Sequence, residues 1–183
     1  MTLTPINSGW IEVICGNMFS GKTEELIRRI RRAQIAKMST SIFKPKIDSR
    51  FSKNHIVSHN QEKMESCTID NPSDILKLVN KTQVIGIDEA QFFDESLIDI
   101  SKILASRGKR IIIAGLDTDY RGTPFGPMPG IMCEADYLDK LRAICIKCGN
   151  PASYTQRTTS DNDQILLGEL DKYEARCRNC FKP

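Results

Sequence analysis

The sequence predicts an α/β protein: a parallel sheet flanked by helices, with a phosphate-binding loop at its carboxyl edge and a small metal-held lobe after it. Three observations carry this reading. The stretch "GNMFSGKT" (Gly16–Thr23) follows the apolar run "WIEVIC" and leads into a basic helix, which is the G-x-x-x-x-G-K-[ST] frame in strand–loop–helix context. Two further apolar runs, "VIGIDEAQFF" and "KRIIIAGLD", alternate with amphipathic segments, as parallel strands covered on both faces do. Finally, "CIKC" (Cys145, Cys148) and "CRNC" (Cys177, Cys180) are two C-x-x-C pairs able to present four thiolates to one tetrahedral Zn²⁺.

Taken in order, the loop comes first. Glycines at its bend let the backbone turn sharply, so that N–H groups from about Asn17 through Met18, Phe19, Ser20, Gly21 and Lys22 point into one concavity. The following helix adds its N-terminal partial charge, Lys22 can reach the β- and γ-phosphates, and the Thr23 hydroxyl can ligate Mg²⁺. That helix, "ELIRRIRRAQIA", carries Leu26, Ile30 and Ala33 at helical spacing, and Arg28, Arg29, Arg31 and Arg32 read as a solvated face or a subunit contact. "TSIFKP" is a short strand closed by Pro45. Residues 46–68 are polar and predict loops with one short strand, His55 and His59 being surface residues. "NPSDILKLVN" predicts a short helix and "DESLIDISKILASRG" a longer one stopped at Gly108. "YRGTPFGPMPG" holds too much Pro and Gly for regular structure and predicts a shaped loop over the sheet edge.

Composition bounds the function. The chain has 183 residues, 40% hydrophobic and 27% charged, with no long apolar run and no charged-then-apolar leader, so a cytoplasmic protein without membrane partners is expected. A net charge of +3 is too small to imply a nucleic acid partner. Seven cysteines are an odd number and suit a reducing compartment. Cys15, Cys67 and Cys133 read as small buried thiols. The 28 residues between the C-x-x-C pairs exceed a zinc ribbon's spacing, so a segment is looped out between them. The division expected is residues 1–142 for the nucleotide-binding part and 143–183 for the zinc lobe.

Ligands of such sheets sit beyond the carboxyl ends of the strands, where Gly16–Thr23, Asp88, Glu89 and Asp117 are expected to converge. Asp88 stands where a phosphate-loop enzyme holds its metal. Glu89 points elsewhere and can act as general base toward whatever attacks the γ-phosphate. Two classes remain open at this point. One is a kinase acting on a small molecule; the other is an ATPase module with a zinc-stabilised nucleic-acid-binding lobe, for which no arginine finger or extended basic surface is evident.

With "IGIDEAQFF", "GLDTDYRGTPFGP", both cysteine pairs and "LDKYEARC" following the loop in order, the chain resembles the type II thymidine kinases, and "GLDTDYRGTPFGPMP" looks most like bacterial members. The resemblance implies a RecA-like sheet, a homotetramer, and transfer of the γ-phosphoryl of ATP to the 5′-hydroxyl of thymidine, with deoxyuridine as a second substrate. It implies Mg²⁺ with ATP, and Zn²⁺ holding a lobe that carries a lasso loop over the nucleoside. By position it implies Glu89 as base. Gly16 to Thr23, Asp48, Arg50, Asp88 and Gln91 match the ATP and metal contacts. Met18, Phe92, Leu116, Tyr120, Phe125, Thr155, Gln164, Ile165, Leu166, Leu167, Gly168 and Tyr173 match the nucleoside contacts. Thymidine triphosphate, joining base and triphosphate, is a candidate feedback inhibitor. The chain departs from the commonest pattern at Asn17, at Tyr120 and at Glu169–Leu170.

Overall fold

The six-stranded sheet at the centre of the molecule is built around inner segments, 10–16, 84–87 and 110–115, whose side chains are buried on both faces almost throughout. The computed structural model describes residues 8–47, 55–57, 63–159, 163 and 172–182. In chain order the elements are β1 (Trp10–Gly16), α1 (Lys22–Ile35), β2 (Thr40–Pro45), β3 (His55–Val57), β4 (Lys63–Glu65), β5 (Cys67–Ile69), α2 (Ser73–Leu78) and β6 (Val84–Ile87). A 3-10 turn (Ala90–Phe92) follows, then α3 (Ser96–Ser106), β7 (Arg110–Gly115), α4 (Met128–Cys133) and β8 (Tyr137–Leu141). β9 (Ala143–Ile144), β10 (Pro151–Ala152), β11 (Tyr154–Arg157) and β12 (Tyr173–Arg176) complete the chain.

The strand order is β5-β2-β6-β7-β1-β8, and every pairing is parallel. Because side chains alternate along a strand, β7 sends Ile111 and Ile113 to one face and Ile112 and Ala114 to the other. The first face packs Val13, Cys15, Ile85 and Ile87 under Leu97 and Leu104 of α3 and Ile131 of α4. The second packs Ile14, Ile42 and Val84 under Leu26, Ile27, Ile30 and Ala33 of α1. A separate small cluster, Ala143, Cys145, Ala152, Ala175 and Cys177, forms the lobe, whose β9–β10 and β11–β12 pairs are antiparallel. No helix among the described residues is long and apolar enough to cross a membrane.

Several expectations are corrected. Residues 46–68 hold three short strands rather than one: β3 pairs with β4, and β5 joins the sheet beside β2. The Pro- and Gly-rich stretch is irregular only to Pro127. α4 then begins inside it, because Pro129 lies in the first turn, where no backbone N–H is required. β8 was not expected, since this edge strand buries neither end fully and reads "YLDKL". Cys67 and Cys133 are exposed, and only Cys15 of the three isolated thiols is buried. Arg29 is not solvated. Its guanidinium meets Glu12 at 2.8 Å, Glu25 at 2.7 Å and Asp139 at 2.6 Å, because α1 lies over β1 and β8.

Candidate active site

The loop after β1 has the backbone its glycines foretold. Gly16 has φ 141°, and a Cβ there would lie 2.3 Å from the Leu141 carbonyl oxygen, so only glycine lets β8 pass beside the loop. Phe19 and Gly21 also have positive φ, and α1 starts directly after Gly21. Lys22 Nζ and Ser20 Oγ each donate to the Asn17 carbonyl at 2.8 Å, drawing the loop round on itself.

The loop leans on the lobe. Asn17 is fully buried; its Nδ2 donates to the Tyr154 carbonyl at 3.3 Å, and its Oδ1 accepts from the Ala143 N–H at 3.4 Å. Met18 N–H donates to Thr155 Oγ1 at 3.0 Å, and Phe19 packs against the lobe's small core. Thr155 is therefore brought to the loop, beside Met18.

Asp88 lies just past β6, buried, with its carboxylate accepting from Thr23 Oγ1 at 3.2 Å. Glu89 diverges from it for a reason the strand period did not supply: the strand has ended, and Glu89 turns left-handed at φ 52° while its N–H donates to Asp88 Oδ1 at 3.0 Å. The 3-10 turn then brings Gln91 back under Glu89. Gln91 Nε2 donates to Glu89 Oε2 at 2.5 Å, and Gln91 Oε1 accepts from the Leu116 N–H at 2.9 Å. This is the amide orientation that satisfies both neighbours.

The segment after β7 supplies further expected residues. Asp119 Oδ1 accepts from the N–H groups of Arg121 and Thr123 at 2.9 and 3.0 Å, closing a turn that carries Tyr120. Gly126, at φ 49°, passes so close to Gln91 that a Cβ would meet the Gln91 carbonyl oxygen at 2.3 Å. Phe125 then sits edge-on to Phe92, ring centroids 5.6 Å apart. Asp117 converges on the same edge but is held by Lys140, whose ammonium lies 2.5 Å from its carboxylate and is raised by it. Burial and the Asp117 charge push the Cys15 thiol up to about 11, which leaves it a neutral packing group.

Tyr173 closes the set from β12, and here an unforeseen residue enters. Arg157, on β11, lays its guanidinium carbon 3.6 Å from the centre of the Tyr120 ring while Nη2 donates to the Tyr173 hydroxyl at 2.8 Å. Its signal in the sequence was the two-residue spacing from Thr155 in "YTQR", which puts both on one face of the strand. Asp48, Arg50, Gln164, Ile165, Leu166, Leu167, Gly168 and the segment with His59 lie outside the described residues.

The four expected metal ligands are together. All four Sγ atoms of Cys145, Cys148, Cys177 and Cys180 lie within 4.8 Å of one another, Cys148 and Cys177 at 3.5 Å. Ligands at about 2.3 Å in a tetrahedron are about 3.8 Å apart, so the cluster could hold zinc. Without a metal the thiols share their protons: against desolvation, which would raise it, backbone N–H groups hold Cys145 down at about 6, while hydrogen bonds with Cys148 and Cys177 push Cys180 up to about 12.

Comparison with known proteins adds a family. The thymidine kinase family model matches residues 9–181. A thymidine kinase of Rhodothermus sp. is 54% identical over 175 residues, covering 96% of this chain and 82% of the relative. Those of Porphyromonas gingivalis and Bacteroides fragilis are 51% and 53% identical, covering 97% and 95% of this chain and 87% of each relative. Among solved structures, the genome packaging NTPase B204 of Sulfolobus turreted icosahedral virus 2, in complex with ATP-gammaS, is 20% identical, covers 75% of this chain and 77% of that one, and has a TM-score of 0.48. With the family model matched along nearly the whole sequence and about half of all aligned residues shared with each of these enzymes, the chain belongs to the thymidine kinase family.

Proposed function

We propose that the chain transfers the γ-phosphoryl of ATP to the 5′-hydroxyl of thymidine, and less selectively to that of deoxyuridine, in nucleotide salvage. Membership of the thymidine kinase family supports the reaction. One observation of this structure supports the assignment of roles: Glu89 and Asp88 leave the same strand end in different directions, Asp88 toward Thr23 of the loop and Glu89 toward Gln91.

The loop N–H groups from Asn17 to Lys22 bind the phosphates, with Lys22 moving from the Asn17 carbonyl to a phosphate oxygen. Two hard oxygen donors, Thr23 Oγ1 and an Asp88 carboxylate oxygen, sit side by side and fit Mg²⁺, which would neutralise charge on the transferring phosphoryl group. Glu89 accepts the 5′-hydroxyl proton as the oxygen attacks phosphorus, and Gln91 holds the carboxylate in place. Phe92 and Phe125 enclose the base, with Met18, Leu116, Tyr120, Thr155 and Tyr173 completing the pocket. Asp48 and Arg50 on the ATP side, and residues 164–168 over the nucleoside, belong to the same reading. The four thiolates would hold Zn²⁺, which cross-links β9–β10 to the end of β12 and folds the lobe. A division at residue 142, a cytoplasmic homotetramer, and inhibition by thymidine triphosphate complete the proposal.

The test is purified protein with ATP and Mg²⁺ against a panel of nucleosides. Thymidine and deoxyuridine are expected to be phosphorylated, with deoxycytidine and the purine deoxynucleosides far behind. ATP hydrolysis at one rate with or without nucleoside would overturn the reading.

A further inference from the structure

The guanidinium of Arg157 joins two of the residues assigned above to the nucleoside while itself carrying no assigned role. Arg157 and Tyr173 face each other across the β11–β12 pair, and both side chains are buried. The guanidinium carbon lies 3.6 Å from the centre of the Tyr120 ring and 5.3 Å from that of Tyr173. Nη2 donates to the Tyr173 hydroxyl at 2.8 Å, and Nη1 donates to the Asp163 carbonyl. Three segments distant in sequence thus meet on one planar cation: the turn after β7, the start of β12, and Asp163 between β11 and β12.

Two residues earlier on the same strand face, Thr155 accepts from the Met18 N–H of the phosphate loop. β11 therefore holds the loop with one side chain and the two tyrosines with the next. A lysine could not do the same. Its ammonium is a point charge that cannot lie flat on a ring while its edges donate in two fixed directions.

We propose that Arg157 is a positioning residue for the nucleoside: stacked on Tyr120 and bonded to Tyr173, it sets the separation of two walls of the acceptor pocket. The inference rests on the reading of Tyr120 and Tyr173 as nucleoside contacts.

Steady-state kinetics of Arg157→Lys, Tyr173→Phe and the double variant, with thymidine and ATP varied separately, test it. Arg157→Lys is expected to raise KM for thymidine roughly 10- to 100-fold, the size of a lost charge-assisted hydrogen bond, with KM for ATP within about threefold. The double variant should be little worse than Arg157→Lys alone, because both substitutions break one contact. Equal changes in both KM values, as a loosened lobe would produce, overturn the proposal, and so do additive losses. Should Arg157→Lys fail to fold, Tyr173→Phe decides: it deletes a single hydroxyl, and an unchanged KM for thymidine overturns the proposal, whereas a rise of roughly 3- to 10-fold supports it. Wild-type protein that leaves thymidine unphosphorylated overturns the functional reading itself, a result distinct from any of these.

Discussion

At the scale of single residues, Glu89 and Gln91 behave as one unit. In the proposed reaction Glu89 is the base, and a base is useful only if its carboxylate is held where the hydroxyl arrives; the bond that holds it is the 2.5 Å contact from Gln91 Nε2, with the Gln91 amide fixed at its other end by the Leu116 N–H. Glu89→Gln removes basicity while keeping shape, so turnover should fall roughly 10²- to 10⁴-fold. Calorimetric titration with thymidine should find its affinity retained. Gln91→Leu should also slow turnover, since the carboxylate loses its holder. Added to Glu89→Gln, it should cost little more, because residues acting as a unit do not lose activity additively. Turnover numbers for the two single variants and the double variant check this, and multiplied losses would separate the roles. The position of Glu89 was legible in the sequence, as the second acidic residue after an apolar strand. That Gln91 holds it was not, because the contact depends on a left-handed residue and a 3-10 turn that no periodicity announces.

Among the elements, legibility followed burial. β1, β6 and β7 lie inside the sheet with both faces covered and read as apolar runs, and α1 and α3 show one apolar face each. β8 and β5 lie at the two edges of the sheet, where half-exposed side chains leave no pattern to count, and β3 and β4 are three-residue strands outside it, too short to show a period. On α1, Arg28, Arg31 and Arg32 are exposed as the sequence predicts, and Arg29 alone departs, because its partners Glu12 and Asp139 come from β1 and β8, far away in sequence. That network has a consequence for acid stability. Burial alone would raise the Glu12 carboxyl, but hydrogen bonds from Arg110 and Trp10, with the charges of Arg110 and Arg29, hold it below the usual range. Glu25, bonded to Arg28 and Arg29, is lowered to about 2. A carboxyl lowered by folding stabilises the fold above its unfolded value and loses that contribution as pH falls toward its folded one. The advantage of wild type over Glu25→Gln, measured by urea unfolding, should therefore be full at neutral pH and shrink from about pH 4.5 downward. Zinc lost in acid affects both proteins alike, so the difference isolates Glu25. A difference that stays constant to about pH 3 would mean that the pair contributes nothing.

On the scale of the whole molecule, the lobe is not an appendage to the nucleoside side alone. Two cysteine pairs in the sequence suggested a clamp on a looped-out segment, and by that logic losing the metal should harm nucleoside binding more than ATP binding. The contacts argue otherwise. Asn17 reaches Tyr154 and Ala143, Met18 reaches Thr155, and Phe19 packs on the core that contains Cys145 and Cys177, so the phosphate loop itself leans on the strands beside the four-cysteine cluster. That core is too small to stand without a cross-link: five buried residues, three of them alanine. Removing zinc should therefore release both walls of the active site together. In Cys177→Ser, elemental analysis should find zinc reduced from one per chain, and calorimetry should find the affinities for thymidine and for MgATP both reduced, by roughly tenfold or more each, the scale of losing one or two hydrogen bonds that hold a site. The sheet should survive, since its two apolar clusters share no residue with the lobe. Far-ultraviolet circular dichroism of the variant should stay close to wild type. In the wild-type zinc form, a thiol reagent should modify the exposed Cys67 and Cys133 quickly and spare Cys15, buried and raised to about 11, along with the four ligands. In Cys177→Ser, the remaining lobe cysteines Cys145, Cys148 and Cys180 should join the fast group, three more thiols than before. An ATP affinity that stays at the wild-type value while these three thiols react would show that the loop keeps its shape without the lobe, and would return the metal to the nucleoside side alone.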